Sequence, residues 1–106
     1  MPKRVDAIQY EVTRALRIAG RPVMAVHTVG HGFPDLLTAR IDGSLVLLEL
    51  KARGAKLTPD EARWHSLWTG SPVYIVHSVY EAFQAVGIEW DDDEGATEED
   101  DNAETR

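Results

Sequence analysis

Asp35, directly after Pro34, is separated by thirteen residues from Glu49-Leu50-Lys51, a triplet closing the most apolar run of the chain, Leu45-Val46-Leu47-Leu48. Charged side chains are almost never fully buried unless they are paired or used. On a strand, Glu49 and Lys51 point to one face. Two readings are open. One is a partly buried ion pair, which stabilises little because desolvation offsets the Coulomb gain. The other is a cation site, in which Asp35 and Glu49 supply oxygen ligands of the kind that suit Mg²⁺ or Mn²⁺. A cation held there activates a water and neutralises charge on a phosphoryl oxygen. Lys51 beside it would orient that water or stabilise the developing negative charge.

Strand register decides whether Asp35 can join the other two. With a two-residue turn at Asp42-Gly43, Ile41 pairs with Ser44 and Asp35 falls opposite Leu50, on the wrong face. A three-residue loop, Ile41-Asp42-Gly43, puts glycine at the left-handed position of a bulged turn. It also sets Asp35 opposite Glu49, close enough to share a cation. A bulge near Pro34 would serve as well. The sequence predicts one of these shifts.

The elements that must hold these residues read clearly. Val5, Ile8, Val12, Ala15, Leu16 and Ala19 recur at helical spacing, predicting an amphipathic helix over residues 4–19 that stops at Gly20. Strands follow over residues 23–29, 36–41 and 45–51, the last apolar on both faces and so covered on each side. Thr58-Pro59-Asp60-Glu61 combines an N-cap, a first-turn proline and a capping-box glutamate, opening a helix through Trp64, Leu67 and Trp68. A strand over residues 73–77 precedes a short helix that opens with a second capping box at Ser78–Glu81 and ends at Gly87. The order is α-β-β-β-α-β-α, with the fourth strand parallel to one of the first three because a helix crosses over before it.

The length of 106 residues suits one small domain, and the chain has no cysteine and no apolar run long enough to span a membrane. A cytoplasmic setting is expected. The net charge of −7 hides an asymmetry: residues 89–106 carry −9 and residues 1–88 carry +2. We therefore expect a domain over 1–88 and an acidic, disordered tail over 89–106, which would shield the basic face of the domain from nucleic acid.

Other residues have bland readings beside functional ones. Glu11 lies about 60° around the helix from Ile8, at the edge of the apolar stripe, where a glutamate is ordinarily solvated. His27, His31, His65 and His77 do not form a metal set by spacing. His31, in the loop before Pro34, is a candidate for a phosphate contact or proton shuttle. Arg53 and Lys56, with Lys3-Arg4, are candidate phosphate contacts, although exposed basic residues usually serve solubility. Trp64, Trp68 and Phe83 sit at helical positions that suit a core or subunit interface.

Pro34-Asp35 and Glu49-Leu50-Lys51, within this element order, resemble the PD-(D/E)XK nuclease signature. More narrowly, Gly32-Phe33-Pro34-Asp35-Leu36-Leu37, Leu48-Glu49-Leu50-Lys51-Ala52, Leu57-Thr58-Pro59 leading to Trp64, and Gly70-Ser71-Pro72-Val73 resemble the stand-alone VRR-NUC (virus-type replication-repair nuclease) domain. The likeness runs over roughly residues 5–87. It implies an α/β fold with a restriction-endonuclease-like core and a mixed four-stranded sheet. It also implies a metal-dependent DNA endonuclease, structure-selective on branched DNA, in phage or bacterial replication or repair. Asp35, Glu49 and the main-chain carbonyl of Leu50 would then hold Mg²⁺ or Mn²⁺, with Glu11 completing the site and Lys51 as the catalytic lysine. A homodimer or higher assembly is expected, since so small a domain has few phosphate contacts of its own. Two positions depart from the pattern. Glu61 stands where glutamine is common; a glutamate there would add charge to the site, while its capping-box role explains it without chemistry. Val76-His77-Ser78 lacks the arginine of the corresponding segment, and with it the side chain for a DNA-backbone contact from that strand. The alternative is a DNA-binding or assembly module that does not cut.

Overall fold

Val12 and Leu16 lie one turn apart on a helix and are both fully buried, and this stripe sets how the first element docks. In the computed structural model, which describes residues 4–89, that helix is α1 (Arg4–Ile18). It is followed by β1 (Val23–Ala25), β2 (Leu36–Ala39), β3 (Leu45–Leu50), α2 (Pro59–Leu67), β4 (Val73–Val76) and α3 (Val79–Val86). The four strands form one sheet in the order β1-β2-β3-β4, antiparallel except for β4, which runs parallel to β3. This is the mixed four-stranded sheet with three helices that the sequence predicts. The acidic segment, beyond Glu89, lies outside the described residues.

Alternation along β3 makes two layers. Val46, Leu48 and Leu50 face α1 and α3 and join Val12, Leu16, Leu36, Val76, Ala82, Ala85 and Val86 in one buried cluster. Each such Leu or Val contributes roughly 1.5–3 kcal/mol by leaving water. Leu47 and Glu49 point to the other face and are equally buried. The expectation that both faces of this strand are covered is met.

Several boundaries differ from the sequence reading. The predicted strand over 23–29 pairs only through Ala25; His27–Val29 is a single 3-10 turn closed by Val29 N donating to Val26 O at 3.0 Å. Its partner runs out. Pro34 has no N–H to offer a neighbour, so upstream of Asp35 the β2 ladder cannot continue. At the other end, Ile41 leaves the sheet and donates its N–H to Val86 O at 2.9 Å, tying the hairpin to the end of α3. β3 and β4 each stop one residue short of the predicted Lys51 and His77.

Both predicted helix starts are present. Thr58 and Glu61 exchange side-chain and main-chain hydrogen bonds in a complete capping box, with Pro59 in the first turn. At α3, Ser78 accepts from Glu81 N at 3.2 Å, but the Glu81 carboxylate reaches past Ser78 to the N–H of His77 at 2.6 Å.

Candidate active site

The hairpin between β2 and β3 places Asp35. Arg40 N donates to Ser44 O at 2.8 Å and Leu36 pairs with Leu48, so the loop is Ile41-Asp42-Gly43, with Gly43 at φ 92°. That is the three-residue register; the ladder ends at Leu36↔Leu48, and carried one residue further it puts Asp35 on the Glu49 side of the strand end. Asp35 is held on both sides: its N–H donates to Leu48 O at 3.0 Å and its C=O accepts from Val26 N at 2.8 Å. Odd residues of β3 bond to β4, as in Leu47 N to Pro72 O and Lys51 N to Val76 O, so the N–H of Leu50 points towards β2. The strand there has ended at Pro34. The Asp35 carboxylate takes the vacant acceptor position, with Oδ2 at 2.8 Å from Leu50 N. By strand geometry the Leu50 carbonyl leaves on the same side.

Glu49 sits in the least hospitable position for a charge. Its side chain is 2% exposed and its Oε1 has no hydrogen-bond partner among the described residues. Burial first, then the charges of Asp35 and Glu61, push its carboxyl up to about 9, against a smaller opposing pull from Lys51.

Lys51 Nζ lies 2.6 Å from Glu61 Oε1. The same oxygen accepts from Thr58 N at 2.9 Å, so Glu61 serves as capping residue and lysine partner at once. Burial alone would raise its carboxyl; the bonds from Lys51 and Thr58 outweigh that and hold it below the usual range. His65, four residues along α2 and on the same helix face, brings Nε2 to 3.6 Å from Glu49 Oε1. Burial lowers its pKa, Lys51 adds to this and Glu61 opposes it. A histidine four residues after a glutamate on a helix was the available signal for His65, but spacing among histidines alone does not show it.

What brings α2 over the strand is a close backbone contact. Gly32 lies at φ 84°, and a Cβ there would stand 2.2 Å from Asp60 O and 2.9 Å from Glu61 N. The loop before Asp35 is thus pressed against the first turn of α2. Phe33 meets Trp64 edge-on at 5.1 Å, and Trp64 stacks on Trp68 at 4.8 Å, so these tryptophans brace the helix.

The remaining candidates lie apart from this cluster. Glu11 is exposed, and at 100° per residue it points about 145° away from the stripe of Asp6, Gln9, Tyr10, Thr13 and Arg17. That stripe, with Ala25, His27 and Asp35, lines an open cavity of about 450 Å³, so α1 turns Asp6 and Gln9, not Glu11, towards Asp35. His31 is exposed at φ 57°, Lys56 is exposed, and Arg53, 71% exposed, is 3.5 Å from Glu81 Oε2. His77, at the position of the missing arginine, has Nδ1 2.8 Å from Lys51 O and braces the end of β3.

Among the described residues, no three histidine, aspartate or glutamate side chains stand close enough together to hold a metal ion by themselves. The donor set still fits a cation that keeps waters and takes main-chain oxygens. The carboxyl of Asp35, just before β2, interacts with that of Glu49 on β3, and Glu49 has a buried oxygen with no hydrogen-bond partner among the described residues.

No family model and no curated protein matches the sequence. Among solved structures, a VRR-NUC domain matches with a TM-score of 0.67 and 22% identity, over 84% of this chain and 100% of that one. The chain therefore has the fold of a VRR-NUC domain, a nuclease-like α/β fold in which Asp35 immediately precedes β2 and Glu49 lies on β3.

Proposed function

We propose that the protein is a metal-dependent DNA endonuclease that hydrolyses phosphodiester bonds, with a preference for branched DNA. The observation that carries this reading is the buried Glu49 with its unpartnered oxygen, close to Asp35 and two residues before Lys51. Asp35, Glu49 and the Leu50 carbonyl would hold Mg²⁺ or Mn²⁺. A bound divalent cation supplies charge for the phosphoryl oxygen and acidity for a water.

The chain's own groups do the rest. Asp35, fixed by Leu50 N, keeps its carboxylate aimed at the strand end. Glu61 holds the Lys51 side chain within reach, 2.6 Å from its Oε1. In hydrolysis the water oxygen bonds to phosphorus, the bond to the leaving sugar oxygen breaks, and that oxygen collects a proton. The Lys51 ammonium, exchanging Glu61 for the substrate, would stabilise the extra negative charge as it develops. His31, Arg53 and Lys56 are proposed as phosphate contacts around the site, and a homodimer would lengthen the footprint on DNA.

Cleavage of single-stranded, duplex, flap and four-way-junction DNA with Mg²⁺ or Mn²⁺ tests this. Cutting is expected to fall at least about a hundredfold in Lys51→Ala and Asp35→Ala, the scale of losing a transition-state charge partner. Activity that survives both substitutions refutes the assignment, and no cutting of any substrate favours a non-cleaving DNA-binding module.

A further inference from the structure

Two buried atoms from different elements face each other with no partner of their own. Glu49 Oε1 comes from β3 and His65 Nε2 from α2; both are closed to solvent and neither has a hydrogen-bond partner among the described residues. They stand 3.6 Å apart, beyond hydrogen-bond range. An orphaned buried polar atom costs roughly 1–3 kcal/mol. Other polar groups on and around α2 are satisfied: Thr58 and Glu61 cap each other, Lys51 pairs with Glu61, and Trp68 Nε1 donates to Ser71 O. The two orphans are therefore a local exception.

Carboxylate oxygen and imidazole nitrogen are both cation donors. Their separation is one that two ligand bonds of about 2 Å each can span. His65 is also well braced. It lies one turn beyond Glu61, whose bonds to Thr58 and Lys51 fix the rotation of α2, and its ring meets Trp64 edge-on at 5.5 Å.

We propose that His65 is a ligand in the cation site, joining Glu49 through Nε2, and that the site thereby favours Mn²⁺ over Mg²⁺. This rests on the cation-site reading given above. Imidazole binds first-row transition cations, whereas Mg²⁺ demands oxygen ligands and gives up its waters reluctantly. Asp35 and the Leu50 carbonyl lie at the same strand end; since the three side chains do not close on one point by themselves, Asp35 would reach the cation through one of the waters it keeps.

The test is binding of Mn²⁺ and Mg²⁺ to the full chain without DNA, with pulsed electron paramagnetic resonance of the bound Mn²⁺. Wild type is expected to show nitrogen hyperfine coupling. In His65→Gln and His65→Ala, both checked for folding by circular dichroism, that coupling disappears and Mn²⁺ binds roughly 10–100-fold more weakly. Mg²⁺ affinity stays close to that of wild type. Mn²⁺ that binds wild type without nitrogen coupling, or coupling that survives in a folded His65 variant, overturns the inference. The cation site itself would then still stand if Asp35→Ala loses the ion. Wild type that binds neither cation overturns both.

Discussion

Glu49 shows what the site costs the fold. Its carboxyl is raised from the ordinary 4.5 to about 9, so the folded chain binds a proton that the unfolded chain has already released. Stability therefore falls as pH rises wherever the folded state holds more protons. The penalty is absent below 4.5, grows through the interval, and is complete above about 9, where it reaches several kcal/mol. Glu49→Gln keeps the shape and removes the charge. Without added cation it is expected to gain stability over wild type at pH 8 by about 1–3 kcal/mol and to lose that advantage near pH 4, while abolishing cleavage. Urea unfolding at the two pH values measures this, and an advantage that does not change with pH would refute the account. At this scale the sequence was partly legible. Asp42-Gly43 and the apolar run ending in Glu49 were enough to narrow the register to a three-residue loop or a bulge near Pro34, and the three-residue loop is present. For Glu11, distance from the apolar stripe does not say which side of α1 turns towards Asp35, and the structure leaves it exposed, off the cavity that Asp35 lines. The approach of His65 to Glu49 was not legible because the two residues lie on different elements.

At the scale of elements, α2 is the lid that carries Glu61 and His65, and Gly32 sets how close it comes. Alanine at Gly32 would meet Asp60 O while adopting a left-handed conformation. Gly54 has a similar φ of 82° but open space around it. Gly54→Ala should therefore show the backbone cost alone, roughly 1–2 kcal/mol. Gly32→Ala should lose a further 1–3 kcal/mol or so from overpacking and slow cleavage by displacing α2. Equal losses in the two variants, measured by urea denaturation, would mean that the contact at Asp60 is soft. The helix starts were readable because a capping box is a local device. The first strand was read too long because Val26-His27-Thr28-Val29 has the composition of a strand, while the partner it needs ends at a proline twenty-odd angstroms of chain away. A strand requires a neighbour, and composition does not provide one.

For the whole molecule, the two faces of the sheet are covered unequally. The crossover through α2 made the parallel β4 legible, and α1 with α3 closes one face. On the other, α2 reaches the Glu49 end of β3, and the opposite end carries Met24 and Leu45 at 61% and 55% exposure. By pairing and alternation these side chains share a face with Leu37 and Leu47, and they border an apolar hollow of about 190 Å³. We propose this apolar patch as the surface through which copies would associate. The proposed homo-oligomer would bury it with a second copy and carry two sites on one assembly, which suits branched DNA. Met24→Lys combined with Leu45→Lys should give a folded monomer, read as mass by light scattering, with cleavage of junctions reduced more than cleavage of single strands. Wild type that remains monomeric with and without DNA would remove the oligomer from the reading and leave the patch to another partner.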